Sequence, residues 1–327
     1  MRFAFIINGP GLLELKPRWT SMADCIETWA LALDADLLSG ISGNQDTWDS
    51  LNGYDVIMIN QNTTMYDLTF NIKMNCPSPF LIGVADGCAG DMAKFNSQTL
   101  YSMAEAAGAC DMYGTLIDWS IPNYELITTT PVRFIGLPFY PAFFSPHKIA
   151  PSKKDSSQPI IGLQNSLCNM RNGLISLLVA SSVKPGKILL PWGSTGWEDV
   201  GGRLRIDNIE FFPYSDWPEF IQRYCQAYFC IHLDTSYTLG RFPLDMAALG
   251  IPVIGSNRNQ TNKILWPDLS IDPVKDILMA KKLATRLIAD KDFYLSQVRS
   301  GGLALAEFSP DIVKNRLLKH IEELSNK

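Results

Sequence analysis

The residues best suited to chemistry lie between Ile231 and Ser256, in the run IHLDTSYTLGRFPLDMAALGIPVIGS. Ser236, Thr238 and Gly240 are small or flexible, so a ligand can come close to the backbone amides around them. Arg241 adds a permanent positive charge beside those amides. Asp245, one helical turn further on, brings a carboxylate within reach of sugar hydroxyls. An anion receptor next to a hydroxyl acceptor suits a phosphorylated, polyhydroxylated ligand.

The flanking pattern supplies the elements that must position these groups. The apolar run Tyr228 to Leu233 reads as a buried strand, Asp234 to Arg241 as a polar loop, and Phe242 to about Leu249 as a helix. Gly250 and Pro252 end that helix before a second strand, Val253 to Gly255. Strand, loop, helix and strand in this order form one unit of a parallel sheet. In such sheets ligands gather beyond the carboxyl ends of the strands, where the next helix offers free N–H groups and the positive end of its dipole.

The string L-G-R-F-P-L-D-M-A-A-L-G-I-P-V-I-G resembles the nucleotide-binding segment of retaining GT-B glycosyltransferases of the glycogen-synthase-like (family 4-like) kind. Their usual pattern is E-x-F-G-x-x-x-x-E-A-M-A-x-G-x-P-V-I. Alignment on Gly250-Ile251-Pro252-Val253 puts Asp245 at the acidic residue that grips the nucleotide ribose. It puts Gly240 at the glycine beside the diphosphate, with Thr238 and Leu239 just before it. The first acidic position, which contacts the donor sugar in the family, is occupied here by Tyr237. The resemblance implies an α/β protein of GT-B type, with two Rossmann-like domains facing each other across a cleft. Residues 1–150 would form the acceptor side and 151–327 the nucleotide-sugar side, with the last helix expected to cross back to the first domain. It further implies transfer of a sugar with retention.

Other residues join the site through the same resemblance. The family carries a basic residue just after the first strand of the second domain, and Arg171 in Cys168-Asn169-Met170-Arg171-Asn172 is the nearest match. Arg171 and Arg241 would stabilise the leaving diphosphate as its charge grows, which is catalysis without a metal. Tyr214 and Trp217 lie where the family reads the base and fit either stacking on it or inter-helix packing. Asn8 and Gly9, after the first strand, fit either a ligand-facing loop or a plain strand-to-helix turn. Asp86 follows a strand and precedes Gly87, so it fits either a turn or a catalytic position at a carboxyl end. No cofactor is expected, since the nucleotide-sugar is a substrate, and no metal ligands are assigned.

The chain has 327 residues, a length suited to two domains, with 46% hydrophobic and 19% charged residues. A net charge of −5 gives no general pull toward nucleic-acid phosphates. The seven cysteines are scattered without a C-x-x-C pair, the pattern of buried reduced thiols in a cytoplasmic protein. The amino-terminal MRFAFIINGPG reads as a first strand instead of a leader, and no window is long and apolar enough to span a membrane. The three histidines, His147, His232 and His320, are too dispersed for a hydrolytic triad or a metal cluster, and His232 reads as a core residue.

Elsewhere the pattern predicts strands over Arg2 to Ile7, Ala35 to Leu38, Tyr54 to Asn60 and Pro79 to Ala85, then near Leu116, over Tyr124 to Thr128 and over Phe134 to Leu137. Helices are predicted from Ser21 or Asp24 to Leu33 and over Ser97 to Ala107. The proline-rich stretch Pro138 to Pro159 reads as the connection between domains. Beyond it come a strand Ile160 to Leu163, a helix Arg171 to Ser181, strands Lys187 to Leu190 and Asn208 to Phe212, and a helix Glu219 to Ala227 capped by Asp216. The polar loop Asn257 to Asn262 precedes amphipathic helices over Asp276 to Ile288, Asp292 to Arg299 and Pro310 to Leu324.

The activity that emerges is glycosyl transfer from a nucleotide-sugar donor to an acceptor whose class, whether glycan, lipid, small molecule or modified DNA base, no motif specifies. Two alternatives remain: a phage-type glycosyltransferase acting on modified DNA bases, and a non-catalytic sugar-nucleotide or glycan-binding protein. The departure at Tyr237 keeps the second open.

Overall fold

A computed structural model describes residues 1–8, 11–16, 27–85, 92, 95–154, 172–192, 202–213 and 217–326. The chain packs as two units, Met1–Tyr140 with Glu307–Lys327, and Pro141–Ala306.

The first unit is built on β1 (Phe3–Ile6), β2 (Glu14–Lys16), α1 (Thr28–Leu33), β3 (Asp36–Ser39), α2 (Gln45–Leu51), β4 (Val56–Gln61), α3 (Tyr66–Asn75), β5 (Phe80–Ala85), α4 (Ser97–Ala109), β6 (Met112–Thr115), α5 (Ile121–Glu125) and β7 (Val132–Phe134). Its sheet runs in the order β2-β3-β1-β4-β5-β6-β7 and is parallel except for the β2–β3 pair. Strands such as Phe3–Ile6 are buried along their whole length, as a sheet covered by helices on both faces requires. The antiparallel edge strand β2 is exposed and carries Glu14 and Lys16, charges that discourage pairing with another chain.

On one face Ile57, Ile59, Tyr66, Leu68, Ile72, Met103, Ala107 and Tyr113 share a core. Side chains of Asn44 and Asn96 cap α2 and α4 by accepting from Thr47 N and Thr99 N.

The structure corrects the expected strand at Tyr124 to Thr128. Ile121–Glu125 is helical, with Pro122 in its first turn, and buried Tyr124 packs on Tyr113 with ring centroids 5.2 Å apart. Within that helical turn only Tyr124 is buried, and Leu126 just beyond it is exposed. The predicted helix start at Ser21 or Asp24 lies outside the described residues.

The second unit contains α6 (Gly173–Ser181), β8 (Ile188–Trp192), β9 (Ile209–Pro213), α7 (Trp217–Tyr224), β10 (Cys230–His232), α8 (Arg241–Ala248), β11 (Val253–Ser256), α9 (Gln260–Leu265), β12 (Ser270–Ile271), α10 (Ile277–Ala289) and α11 (Lys291–Ala304). Strands β10, β11 and β12 form one parallel sheet in that order, and β8 with β9 a parallel pair. The predicted strand Ile160 to Leu163 lies outside the described residues. A 3-10 helix at Pro141–His147 opens the unit, and its buried Phe144 meets the Trp217 ring edge-on at 5.0 Å. A second correction falls at Asn257 to Asn262, expected to be loop throughout. Asn259 accepts from Asn262 N and caps α9, so the helix begins at Gln260.

The last helix, α12 (Pro310–Ser325), belongs to the first unit. It buries Val313, Leu317 and Ile321, and Arg316 Nη1 donates to Ile135 O at 3.4 Å. Phe139 N donates to Phe308 O at 2.8 Å where the chain leaves and re-enters the unit. No helix among the described residues is long and apolar enough to cross a membrane.

Adjacent glycines in α11 offer a test of the packing. A methyl on Gly301 would sit 2.6 Å from the buried Trp266 indole, whereas one on Gly302 would meet nothing within 4 Å. Gly301→Ala is expected to destabilise the protein by about 1–3 kcal/mol through overpacking. Gly302→Ala should leave stability unchanged or raise it by about 0.5–1 kcal/mol through helix propensity. Urea unfolding midpoints of the two variants check both.

Candidate functional site

Among the described residues, Tyr237, Thr238, Leu239, Gly240, Arg241 and Asp245 lie together on the turn between β10 and α8 and the start of that helix. Strand β10 pairs with β11 through Cys230–Val253, Ile231–Ile254 and His232–Gly255, which fixes where the chain emerges at the carboxyl edge. His232 is buried, with its ring 5.2 Å from that of Phe242 and its Nε2 3.8 Å from Asp234 Oδ2. Buried Asp234 accepts from Ser236 N at 3.1 Å and Ser236 Oγ at 2.7 Å, an Asx turn that bends the loop at once.

Gly240 then takes φ +80°, ψ 84° as the residue before α8, a left-handed conformation that side chains resist. The amides at the start of α8 have no intrahelical acceptor, so the turn presents donors together with the positive end of a dipole. At the other end Gly250, with φ +69°, closes the helix just past Leu249 and returns the chain to β11.

Arg241 and Asp245 meet on one face of α8. Arg241 Nε donates to Asp245 Oδ1 at 2.6 Å, and the two side chains are only 13% and 6% exposed. Burial raises the Asp245 carboxyl above its ordinary value, and the charge and hydrogen bond of Arg241 pull against it. Sequence reasoning set these two residues to separate tasks, the cation for phosphate and the carboxylate for ribose. The structure brings them together as a bonded i,i+4 pair, so Arg241 also holds and orients the carboxylate.

Tyr237 is 50% exposed at the middle of the loop, and the Arg258 guanidinium lies 5.5 Å from its ring centroid. Leu239 is buried and anchors the loop. Trp217 packs against Phe144, the packing alternative of its two readings. Asn8 stands in the first unit, just past β1. There it lines an open hollow of about 400 Å³ with Gly11, Leu12, Glu14, Ser39, Gly40 and Thr64, beyond the carboxyl ends of β1, β3 and β4. Arg171, Asp86, Gly9 and Tyr214 lie outside the described residues.

Sequence reasoning missed the segment that follows β11. Thr238 N donates to Arg258 O at 3.1 Å, Gln260 N to Thr238 O at 3.0 Å, and Thr261 N to Leu239 O at 3.0 Å. Arg258 Nη1 donates to Thr235 O at 3.0 Å. Residues 258–261 thus run along the loop and bind it at successive points. The available signal was the polar run Ser256 to Asn262 immediately beyond a buried strand.

No protein-family model and no curated protein matches the chain. Solved structures do. Sucrose-phosphate synthase from Thermosynechococcus elongatus is similar with a TM-score of 0.75 at 13% identity, covering 100% of this chain and 100% of that one. HepE of Anabaena in complex with UDP and glucose is similar with a TM-score of 0.70 at 11% identity, covering 99% of this chain and 100% of the other. A glycosyltransferase from Rickettsia africae is similar with a TM-score of 0.66 at 13% identity, covering 99% and 98%. The chain therefore has the α/β fold of these GT-B proteins.

Removing the cation should expose the tension at the Arg241–Asp245 pair. Arg241→Met leaves a buried carboxylate without its partner and is expected to cost about 3 kcal/mol or more near neutral pH. A raised folded-state pKa makes an acid stabilising while protonated, and that stability is lost as pH rises through the folded value. The variant's deficit should therefore grow with rising pH and shrink under acidic conditions, as measured by urea unfolding of variant and wild type across pH.

Proposed function

We propose that the protein is a glycosyltransferase that moves a sugar from a nucleotide-sugar donor, of the UDP-sugar class, to an acceptor. The observation that carries this reading is the left-handed Gly240 at the start of α8, followed by the Arg241–Asp245 pair. In that arrangement free amides, a cation and an oriented carboxylate share one turn. Support for the donor class comes from the fold, since HepE of Anabaena, a protein of this fold, was crystallised with UDP-glucose.

In this reading the amides at Gly240 and the first turn of α8 receive the diphosphate, with Arg241 adding charge. Asp245 accepts from the ribose hydroxyls. Tyr237 meets the donor sugar with a phenol where related sequences place a carboxylate. Arg171 is assigned to the leaving diphosphate, where a cation gains most as negative charge accumulates. These cations supply the electrostatic stabilisation without invoking a metal. Retention follows the resemblance of the α8 segment. Gly9, Asn8 and Tyr214 keep the roles that resemblance gives them, Asp86 keeps the catalytic or acceptor-side role its place after a strand suggests, and the acceptor is assigned to the first unit. Reduced thiols at Cys76, Cys110, Cys225 and Cys230 suit a cytoplasmic setting.

A second reading, a sugar-nucleotide-binding protein without transfer, is favoured by the exposed phenol of Tyr237 at the position of an acidic group. Thermal shift with UDP, GDP, ADP and CDP and their sugar conjugates tests both. A ligand at 100 times its Kd stabilises by about 2.7 kcal/mol, which for a protein of this size is a rise of about 4 °C in Tm. One nucleotide should produce that rise selectively. Tyr237→Ala should preserve the response to the nucleotide and reduce the added response to its sugar conjugate. Binding without any release of free sugar from the conjugate would favour the second reading, and no response to any nucleotide would refute the donor site.

A further inference from the structure

Asn259 fills the space that a side chain at residue 240 would need. Its amide nitrogen and oxygen would lie 1.9 and 2.2 Å from a Cβ on Gly240, so Asn259 presses directly on the α-carbon of that glycine. The residue is completely buried. Its Oδ1 accepts from Asn262 N at 3.0 Å and lies 2.9 Å from Thr261 Oγ1, whose single proton it shares with Gly240 O, while its Nδ2 has no partner among the described residues. Thr261 Oγ1 also lies against Gly240 O as a close hydrogen-bond partner. One hydroxyl therefore ties the cap of α9 to the turn that starts α8.

Helix capping alone does not account for this arrangement. A serine at 259 would satisfy Asn262 N, and the cap would need neither an amide against Gly240 nor a hydroxyl on its carbonyl. Glycine takes left-handed backbone at no steric cost, so only its surroundings hold Gly240 in that one shape, and a buried amide donor without an acceptor costs about 1–3 kcal/mol. Both features sit where the backbone must hold one shape for its amides to point at a single place. The result is a mould for the donor turn, cast by the segment that follows β11.

We infer that Asn259 and Thr261 are positioning residues that hold the Gly240 turn in its diphosphate-receiving shape without touching the nucleotide. The inference rests on the donor reading given above and extends it to residues on a different loop. A misplaced turn weakens contacts to phosphate and leaves contacts to the nucleoside alone. Its signature is the ratio of affinity for UDP to affinity for uridine.

The test uses the full chain and calorimetric titration with UDP and with uridine, alongside Tm. Thr261→Val, close to isosteric, removes the hydroxyl, and Thr261→Ser restores it. Asn259→Ser keeps the helix cap and empties the space against Gly240. In Thr261→Val and Asn259→Ser the UDP-to-uridine affinity ratio should fall about tenfold, the effect of roughly one lost hydrogen bond. Thr261→Ser should restore it. An unchanged ratio in both folded variants, with or without a lower Tm, would show that the segment is only a structural clasp and would overturn the inference. Failure of the wild type to bind UDP would refute the donor reading itself, and this inference with it.

Discussion

Strands buried on both faces leave a parallel sheet one place for polar chemistry, the edge where the carboxyl ends emerge. Within β10 and β11 the side chains are spent on the core, and the first buried polar groups appear at His232, Asp234 and Ser256, at or just past the last paired residues. The loop beyond must bend sharply, offer amides, and still satisfy its own buried backbone. Everything distinctive about the second unit follows from meeting those demands together. The Asx turn at Asp234 bends the chain, Gly240 adopts the only sterically open cap, and residues 258–261 take up the backbone groups that the loop leaves over.

Charge inside this edge is handled by pairing. Arg241 and Asp245 are nearly buried, and neither is favourable alone in that setting. Joined by a 2.6 Å bond they form a compact dipolar unit at the beginning of a helix. Such a unit can exchange partners when an anion arrives, the guanidinium turning some of its five donors outward while the carboxylate stays oriented. Burial raises the Asp245 carboxyl while the charge and hydrogen bond of Arg241 oppose that rise.

Much of this was legible from residue types. The run from Tyr228 to Ser256 announced its strand, turn, helix and strand because apolar runs and Gly-Pro punctuation are local signals, and the elements fall within one or two residues of expectation. Long-range relations were not legible. The polar stretch Asn257 to Asn262 looked like solvent-facing loop because its composition is that of one, yet Asn259, Thr261 and Asn262 are buried against backbone supplied by the other loop. At Tyr124 the local pattern was compatible with either period, and Pro122 with the Tyr113 contact decided for helix. Pairing between Arg241 and Asp245 could have been anticipated from their i,i+4 spacing. Their depth of burial could not, since it depends on Phe144, Trp217 and the elements that carry them.

The return of the carboxyl-terminal helix has a consequence for how the chain is made. The second unit is one continuous stretch, Pro141–Ala306, and the first is split around it. On the ribosome the seven-stranded sheet emerges early, yet Val313, Leu317 and Ile321 reach it only after the whole of the second unit has been synthesised. Throughout that interval the surface α12 will cover stays uncovered, and apolar surface left open during synthesis invites association with other chains or chaperones. The second unit can mature first, although its sheet is encoded after that of the first. The first unit is completed by a helix encoded after the second.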